Sequence, residues 1–310
     1  MGKMQLALIA GGKSSEREVS LKSAAQVYQA LDKDKYDIRR YDPLTDLERL
    51  VQDASKLDAA LIIMHGRGGE DGTVQGLLDL LEIPYQGSGV LGSALAMNKE
   101  LSKVLYQMAG LKVPPTLAFS REQPLSPREI EAKLGLPVVI KPATEGSSIG
   151  ITIARTLEEL ARGLATAFEL DHRVLVEEYI KGVEVTGGVL GNSNPRALPL
   201  VEIIPSDNYA FFDYEAKYQP GASTEICPAR LDPELTHRAQ QCALTAHAAL
   251  GCRGYSRTDM LVRGDDIFVL ETNTIPGMTA TSLFPQAAKA AGLEFPDLLD
   301  TLIQLALEKD

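Results

Sequence analysis

Near the C-terminal end, the run Arg257-Thr258-Asp259 is answered by Glu271-Thr272-Asn273 across the turn Arg263-Gly264-Asp265-Asp266. Side chains two apart on a strand share a face. A hairpin paired symmetrically about residue 265 therefore sets Asp259 opposite Glu271 and Arg257 opposite Asn273, crowding four polar groups on one patch. The competing reading is a solvent-facing strand with a surface salt bridge, but Val269 and Leu270 give the second strand a buried character. Two carboxylates and an amide in such a patch are costly unless a divalent cation neutralises them. An all-oxygen donor set suits magnesium held together with a nucleotide's phosphates. The chain must then fold so that a phosphate-binding element meets one face of its last hairpin.

Upstream, short apolar runs alternate with helical patterns. Strands are expected at Met4 to Ala10, Tyr36 to Tyr41 and Ala59 to Met64, with helices at Ser20 to Leu31, Asp46 to Gln52 and Val74 to Leu81. This βαβ rhythm implies a parallel, Rossmann-like sheet. At 310 residues the chain exceeds one typical hydrophobic core. We expect an α/β protein of three units: residues 1–97, 98–181 and 182–310. The second begins with a helix from Asn98 to Gly110, capped by Asn98 and stopped before Pro114-Pro115. It continues with strands Val138 to Lys141 and Ile149 to Ala154, a helix from Thr156 to Phe168, and a strand at Val174 to Glu178. The third holds strands Glu184 to Leu190 and Leu198 to Ile204, then an aperiodic stretch from Ser206 to Ser223. An irregular segment that long in a compact unit usually serves function. A helix from Pro233 to Leu250, the hairpin and two terminal helices complete it.

A net charge of -11 argues against nucleic acid or an anionic membrane surface as partner. No apolar run approaches the ~20 residues of a membrane span. Leu6 to Ala10 is too short for a signal core, so a cytoplasmic location is expected. Cys227, Cys242 and Cys252 form neither an even disulfide framework nor a metal pair, and the four histidines include no HxxxH spacing.

In so acidic a chain, the place of each lysine is informative. Lys141 precedes the loop Pro142 to Gly150, whose glycines and Ser147-Ser148 let backbone N–H groups approach phosphate oxygens. The order differs from the Walker loop, where lysine follows the last glycine and a helix begins. Here a strand follows, so the loop would close over the phosphates as a flap, or serve as a plain hairpin turn. Lys99 at a helix start would reach the same phosphates or stand exposed. Glu177 to Ile180 followed by Glu184 reads as a strand entering a hinge, with backbone groups for a purine base and a carboxylate for ribose, or as a charged strand end. The first βα turn, Gly11 to Glu18, lacks the GxGxxG spacing of a dinucleotide site. Glu16 there would hold a substrate ammonium or favour the helix dipole. The run His65 to Gly72 carries four glycines after a buried strand, as ligand-approach loops do, or forms a structural Ω-loop. Gly277, following the metal strand, offers a backbone N–H as an oxyanion donor. Ser282 and Leu283 open a helix whose amides suit a carboxylate, or Ser282 is a plain helix cap.

In this order, Gly11 to Ser20, His65 to Gly72, Lys141 to Gly150, Tyr214 to Tyr218 and Asn273 to Thr279 resemble the D-alanine:D-alanine ligase family of the ATP-grasp superfamily, nearly end to end. The resemblance implies an N-terminal Rossmann-like sheet followed by two α+β subdomains enclosing the nucleotide. It implies an ATP-dependent enzyme that forms an acyl phosphate from one D-alanine and lets a second displace phosphate, supplying D-alanyl-D-alanine for peptidoglycan. By that resemblance Glu16 holds the first D-alanine's ammonium, while Ser282 and the Leu283 amide take the second one's carboxylate. Arg257 and Gly277 stabilise the oxyanion. Lys99, Lys141, Ser147 and Ser148 grip the phosphates, Glu184 binds the ribose, and Glu177 with Tyr179 and Ile180 frames the adenine. Asp259, Glu271 and Asn273 hold two magnesium ions, replaceable by manganese. Lys217 and Tyr218 belong to a mobile ω-loop, Lys217 reaching the transferred phosphate and Tyr218 bonding through Ser147 toward Glu16. His65 lies near the second substrate, and a homodimer is implied. The family's adenine site includes tryptophan in some members, and this chain has none. Rival readings are a ligase taking D-serine or D-lactate as second substrate, and a nonenzymatic nucleotide-binding protein of the same fold.

Overall fold

Strand β1 (Met4–Ala10) is apolar over most of its length and takes the centre of a parallel sheet, between β2 (Tyr36–Tyr41) and β3 (Ala59–Ile63). The crossovers run through α1 (Arg17–Ala30) and α2 (Leu47–Asp53). Leu6, Leu8, Leu61 and Ile63 pack into a core on one face, and Ala7, Ile9, Ala60 and Ile62 into another on the opposite face. Burial on both faces is why these strands read as continuous apolar runs. The computed structural model describes residues 2–146, 149–206 and 223–308.

Helices α3 (Thr73–Leu80), α4 (Val90–Met97) and α5 (Lys99–Met108) follow. A second sheet is antiparallel, in the order β4-β7-β5-β6, built from β4 (Thr116–Ser120), β5 (Val138–Pro142), β6 (Thr152–Ala154) and β7 (Arg173–Glu178). Helices α6 (Pro127–Leu134) and α7 (Leu157–Leu170) cover one face through Ile130, Leu160 and Leu164, packed on Val138, Ile140, Val174 and Val176. The alternate residues, Lys141 and Glu177, point to the other face.

A third sheet gathers β8 (Val183–Leu190), β9 (Arg196–Ala197), β10 (Val201–Pro205), β11 (Ser223–Ile226), β12 (Tyr255–Arg263) and β13 (Asp266–Asn273). Its order is β11-β10-β8-β12-β13, with β9 beside β8. Helix α8 (Pro233–Ala249) lies on it through Ala239, Ala243 and Ala246. The approach is close: a Cβ at Gly187 of β8 would stand 2.8 Å from the Ala243 methyl. The last helices, α9 (Leu283–Ala290) and α10 (Phe295–Leu307), return to the first sheet, where Phe284, Leu298 and Leu302 share a core with Leu6, Leu8 and Leu61.

The α/β architecture with its parallel N-terminal sheet agrees with expectation. Among the described residues, five strands and helices were not anticipated: β9, β11, α4, β4 and α6. The last carries a legible start signal, since Ser126 and Glu129 form a reciprocal capping box with Pro127 in the first turn. Helix α4 follows Gly89 and has no capping side chain to announce it.

Candidate active site

The hairpin reaches the expected pairing by an unexpected route. Its loop is the two residues Gly264 and Asp265, so Arg263 faces Asp266 and Met260 faces Val269. Continued regularly, that register would set Asp259 opposite Leu270 and Arg257 opposite Thr272, with their side chains out of phase. A bulge at Leu270 shifts the ladder, and Asp259 then faces Glu271 while Arg257 faces Asn273. Bulges re-aim side chains in this way beside functional sites. Arg257 grips Asp259 through two bonds, Nε to Oδ1 at 2.9 Å and Nη2 to Oδ2 at 2.8 Å. Asn273 Nδ2 donates to the same carboxylate at 3.2 Å, and Thr186 Oγ1 on β8 at 2.5 Å. On the other face, Thr258 and Thr272 pair with each other at 3.0 Å, and Tyr106 of α5 donates to Thr272 at 2.8 Å. That buried seam locks the hairpin to α5.

Helix α5 carries its charges inward. Lys99 and Lys103 are 7% and 4% exposed, whereas Leu101, Val104 and Met108 are 49%, 47% and 79% exposed. The inversion follows from partners on other elements. Lys103 Nζ lies 2.9 Å from Glu177 Oε1 and Lys141 Nζ 2.8 Å from Glu177 Oε2. Lys99 Nζ lies 3.4 Å from Glu271 Oε2 and donates to the Glu145 carbonyl at 2.6 Å. Burial opposes the charge on Glu177, but the two lysines overcome it and hold the carboxyl down at about 2. Burial likewise works against Lys141, and Glu177 with Glu271 outweighs it and raises the ammonium's pKa. Lys99, Lys103 and Lys141 thus converge on Glu177 and Glu271, gathering ammonium groups of the kind that meet phosphate oxygens. Glu177 is therefore no exposed strand end, and Lys99 no exposed helix lysine.

Glu16 precedes α1 at its cap position, makes no capping bond and is buried. Its carboxylate sits between two loops: a Cβ at Gly66 or Gly146 would stand 2.9 or 3.0 Å from Oε2, and Gly66 also has a φ of +69°, which favours glycine there. His65 is buried beside it, hydrogen-bonded to the Ile275 backbone, with Nε2 unpartnered among the described residues. Burial lowers its pKa and keeps the ring neutral. Glu70 faces the same space, and burial followed by the Glu16 charge pushes its carboxyl up to about 8. Ser282 occupies the cap position of α9 but does not cap it. Its hydroxyl instead pairs with Thr279 Oγ1 at 2.7 Å and accepts from the Thr279 N–H at 3.1 Å. The first amides of α9, at Leu283 and beyond, are thereby left available at the cleft wall.

These groups line two clefts. One, of about 710 Å³, is bounded by Glu16, His65, Glu70, Arg257, Gly277 and Ser282. The other, of about 480 Å³, is bounded by Lys141, Glu177, Tyr179, Ile180, Glu184 and Asp259, with aliphatic walls from Ile151, Ile203 and Leu270. Glu271 lines both. Ser147, Ser148, Lys217 and Tyr218 lie outside the described residues. Sequence reasoning missed Glu70, Lys103, and the pair Glu225 and Gln286, hydrogen-bonded to each other in the larger cleft. Glu70 stood in a glycine-rich run already singled out. Lys103, four residues after Lys99, carried no signal that distinguishes it from a solvated helix face.

The profile described as "D-ala D-ala ligase N-terminus" matches residues 5–43 and 43–88, and "D-ala D-ala ligase C-terminus" matches residues 105–304. The D-alanine--D-alanine ligase of Syntrophobacter fumaroxidans is 62% identical over 306 residues, 99% of this chain and 98% of that protein. The crystal structure of the Bacillus anthracis D-alanine--D-alanine ligase complexed with ATP superposes with a TM-score of 0.86 at 36% identity, covering 98% of this chain and 97% of that one. The VanG D-Ala:D-Ser ligase of Enterococcus faecalis superposes with a TM-score of 0.85 at 36% identity, covering 99% and 100%.

Proposed function

Since the chain belongs to the D-alanine–D-alanine ligase family, we infer that it joins two D-alanine molecules with hydrolysis of ATP to ADP and phosphate. The observation that carries the reading is Glu271, shared by both clefts on a hairpin whose bulge brings Arg257, Asp259, Glu271 and Asn273 to one face. A carboxylate is a poor electrophile. Its oxygen attacks the γ-phosphorus of ATP, the bond from that phosphorus to the bridging oxygen breaks, and ADP leaves. The amine of the second D-alanine then attacks the carbonyl carbon of the acyl phosphate, and phosphate departs.

Glu16 holds the first ammonium, and the α9 amides with Ser282 the second carboxylate. Arg257 and the Gly277 N–H meet the oxyanion of the second step. Lys99 and Lys141 hold the phosphates together with Ser147 and Ser148. The aliphatic slot beside Tyr179 and Ile180 takes the adenine, and Glu184 the ribose. Lys217 and Tyr218 act from the ω-loop, and His65 lies near the second substrate.

The donor set fits magnesium. Among the described residues no three His, Cys, Asp or Glu side chains could hold a metal alone. Asp259, Glu271 and Asn273 would supply oxygen ligands, the rest coming from phosphate and water, as magnesium ordinarily accepts. When bound, the ions neutralise phosphate charge. We place the reaction in the cytoplasm, in the supply of peptidoglycan precursor. No described helix is long and apolar enough to cross a membrane. A second copy of the chain is the partner proposed for the outward faces of α3, α4 and α5, where Leu80, Leu91, Val104 and Met108 stand exposed on helices packed side by side. Light scattering on the purified protein checks this, and a monomer would remove it.

D-serine or D-lactate as second substrate would use the same phosphate site, and the fold alone does not separate D-alanine from D-serine enzymes. Identity of 62% to a D-alanine--D-alanine ligase favours D-alanine. Phosphate release measured with each of the three acceptors tests the reading: D-alanine should be preferred, and preference for either alternative rejects it.

A further inference from the structure

Strand β13 ends its sheet, so β12 alone holds its register by ladder pairing. Leu270 is the extra residue in that ladder and has no counterpart on β12. A bulged residue falls out of the pairing, and its buried backbone groups need partners elsewhere. Helix α5 meets this edge. The Leu270 carbonyl accepts from Lys103 Nζ at 3.3 Å. Before the bulge, the Val269 N–H donates to the carbonyl of Lys112, just beyond α5, at 2.8 Å. After it, Tyr106 donates to Thr272 at 2.8 Å, and Lys99 Nζ lies 3.4 Å from Glu271. Lys99, Lys103 and Tyr106 share one face of the helix.

We propose that Lys103, with Tyr106 beside it, is a positioning residue that fixes the bulge at Leu270 and so sets the register that turns Glu271 and Asn273 toward Asp259 as a metal-binding group. The proposal rests on the metal reading of those three residues. Lys103 is buried although Glu177 already has Lys141 at 2.8 Å. Burying a second ammonium costs desolvation, and a charge placed so can select one arrangement over its competitor. The competitor here is definite. Without the bulge, regular pairing turns Glu271 and Asn273 to the opposite face, away from Asp259. An ammonium on the Leu270 carbonyl favours the bulged form, because only there does that carbonyl leave the ladder. Lys103 therefore stands behind the metal group and orients it, as the outer partners of metal ligands do.

Two measurements read the register without turnover. One is manganese binding in the presence of saturating ADP, followed by electron paramagnetic resonance. The other is hydrogen exchange of Asp266–Asn273 relative to Met4–Ala10 in the same molecule. Lys103→Met removes the donor and leaves Glu177 its partner Lys141. Manganese should then bind about ten-fold more weakly, and exchange in β13 should rise against that in β1. By charge alone, loss of a nearby ammonium would strengthen the binding of a cation, so weakening reports position. Tyr106→Phe deletes one hydroxyl and should move both readings the same way by less. Manganese affinity unchanged or increased in folded Lys103→Met overturns the proposal, whatever the melting temperature does; weaker binding with an unchanged exchange ratio overturns it equally. Should Lys103→Met not fold, unchanged readings in Tyr106→Phe overturn it and shifted readings uphold it. Wild-type protein that binds no manganese with ADP rejects the metal reading, and the exchange ratio then decides the register alone. Absence of dipeptide synthesis by wild-type protein would reject the ligase reading and leave both measurements valid.

Discussion

Glu177 and Glu70 are both turned toward a cleft and away from bulk water, yet one carboxyl is held at about 2 and the other pushed up to about 8. Burial acts on both in the same direction. The difference lies in the neighbours: Glu177 stands between Lys103 and Lys141, and Glu70 stands beside Glu16. One cleft thus keeps its buried carboxylate ionised between two lysines, while in the other burial and a neighbouring carboxylate keep the Glu70 carboxyl protonated up to about 8.

The largest effect is expected at the residues between the clefts, where the contrast collapses if it is mistaken. Glu271→Gln and Asn273→Ala should each lower turnover at least ~100-fold without unfolding the protein, because each removes charge stabilisation from the transition state. Steady-state kinetics with circular dichroism checks this, and full activity in either variant would refute the assignment. Next comes Glu177→Gln, which takes the nearest counter-charge from two buried ammonium groups, leaving them Glu271, and should lower stability by about 2 kcal/mol at neutral pH. With a folded-state pKa below the ordinary 4.5, Glu177 stabilises the fold above that value, and the contribution is lost as pH falls toward about 2. Denaturation midpoints should therefore fall less steeply in the variant over that acid window; parallel curves would show that the lysines do not engage Glu177.

The smallest effect sharpens the other side. A carboxyl raised from 4.5 to about 8 favours the fold while protonated, and this is lost as pH rises through the upper value. Glu70→Gln keeps the shape and abolishes the titration, so the loss of melting temperature between pH 4.5 and about 8 should shrink by a few degrees. An unchanged slope over that window would mean that the Glu70 carboxyl is not raised in the folded protein.

The sequence by itself established the parallel sheet around β1, because strands buried on both faces must be apolar throughout. It also pointed to side chains that the structure gathers at the two clefts, since Glu16, Lys99, Lys141, Arg257, Asp259, Glu271 and Asn273 stand in motifs whose order along the chain is legible. Three things only the tertiary structure decided. The bulge at Leu270 corrects a register that the two-residue turn alone would have set out of phase, and an extra residue in a ladder has no periodic signature. Helix α5 turns its lysines inward and its apolar stripe outward, because Glu177 and Glu271 arrive from strands remote in sequence to meet those lysines. Glu70 becomes a raised acid because the fold buries it and sets Glu16 beside it. Hydrophobic periodicity reports which face of an element avoids water; where a charge belongs is settled by the opposite or like charge that the rest of the chain carries to it.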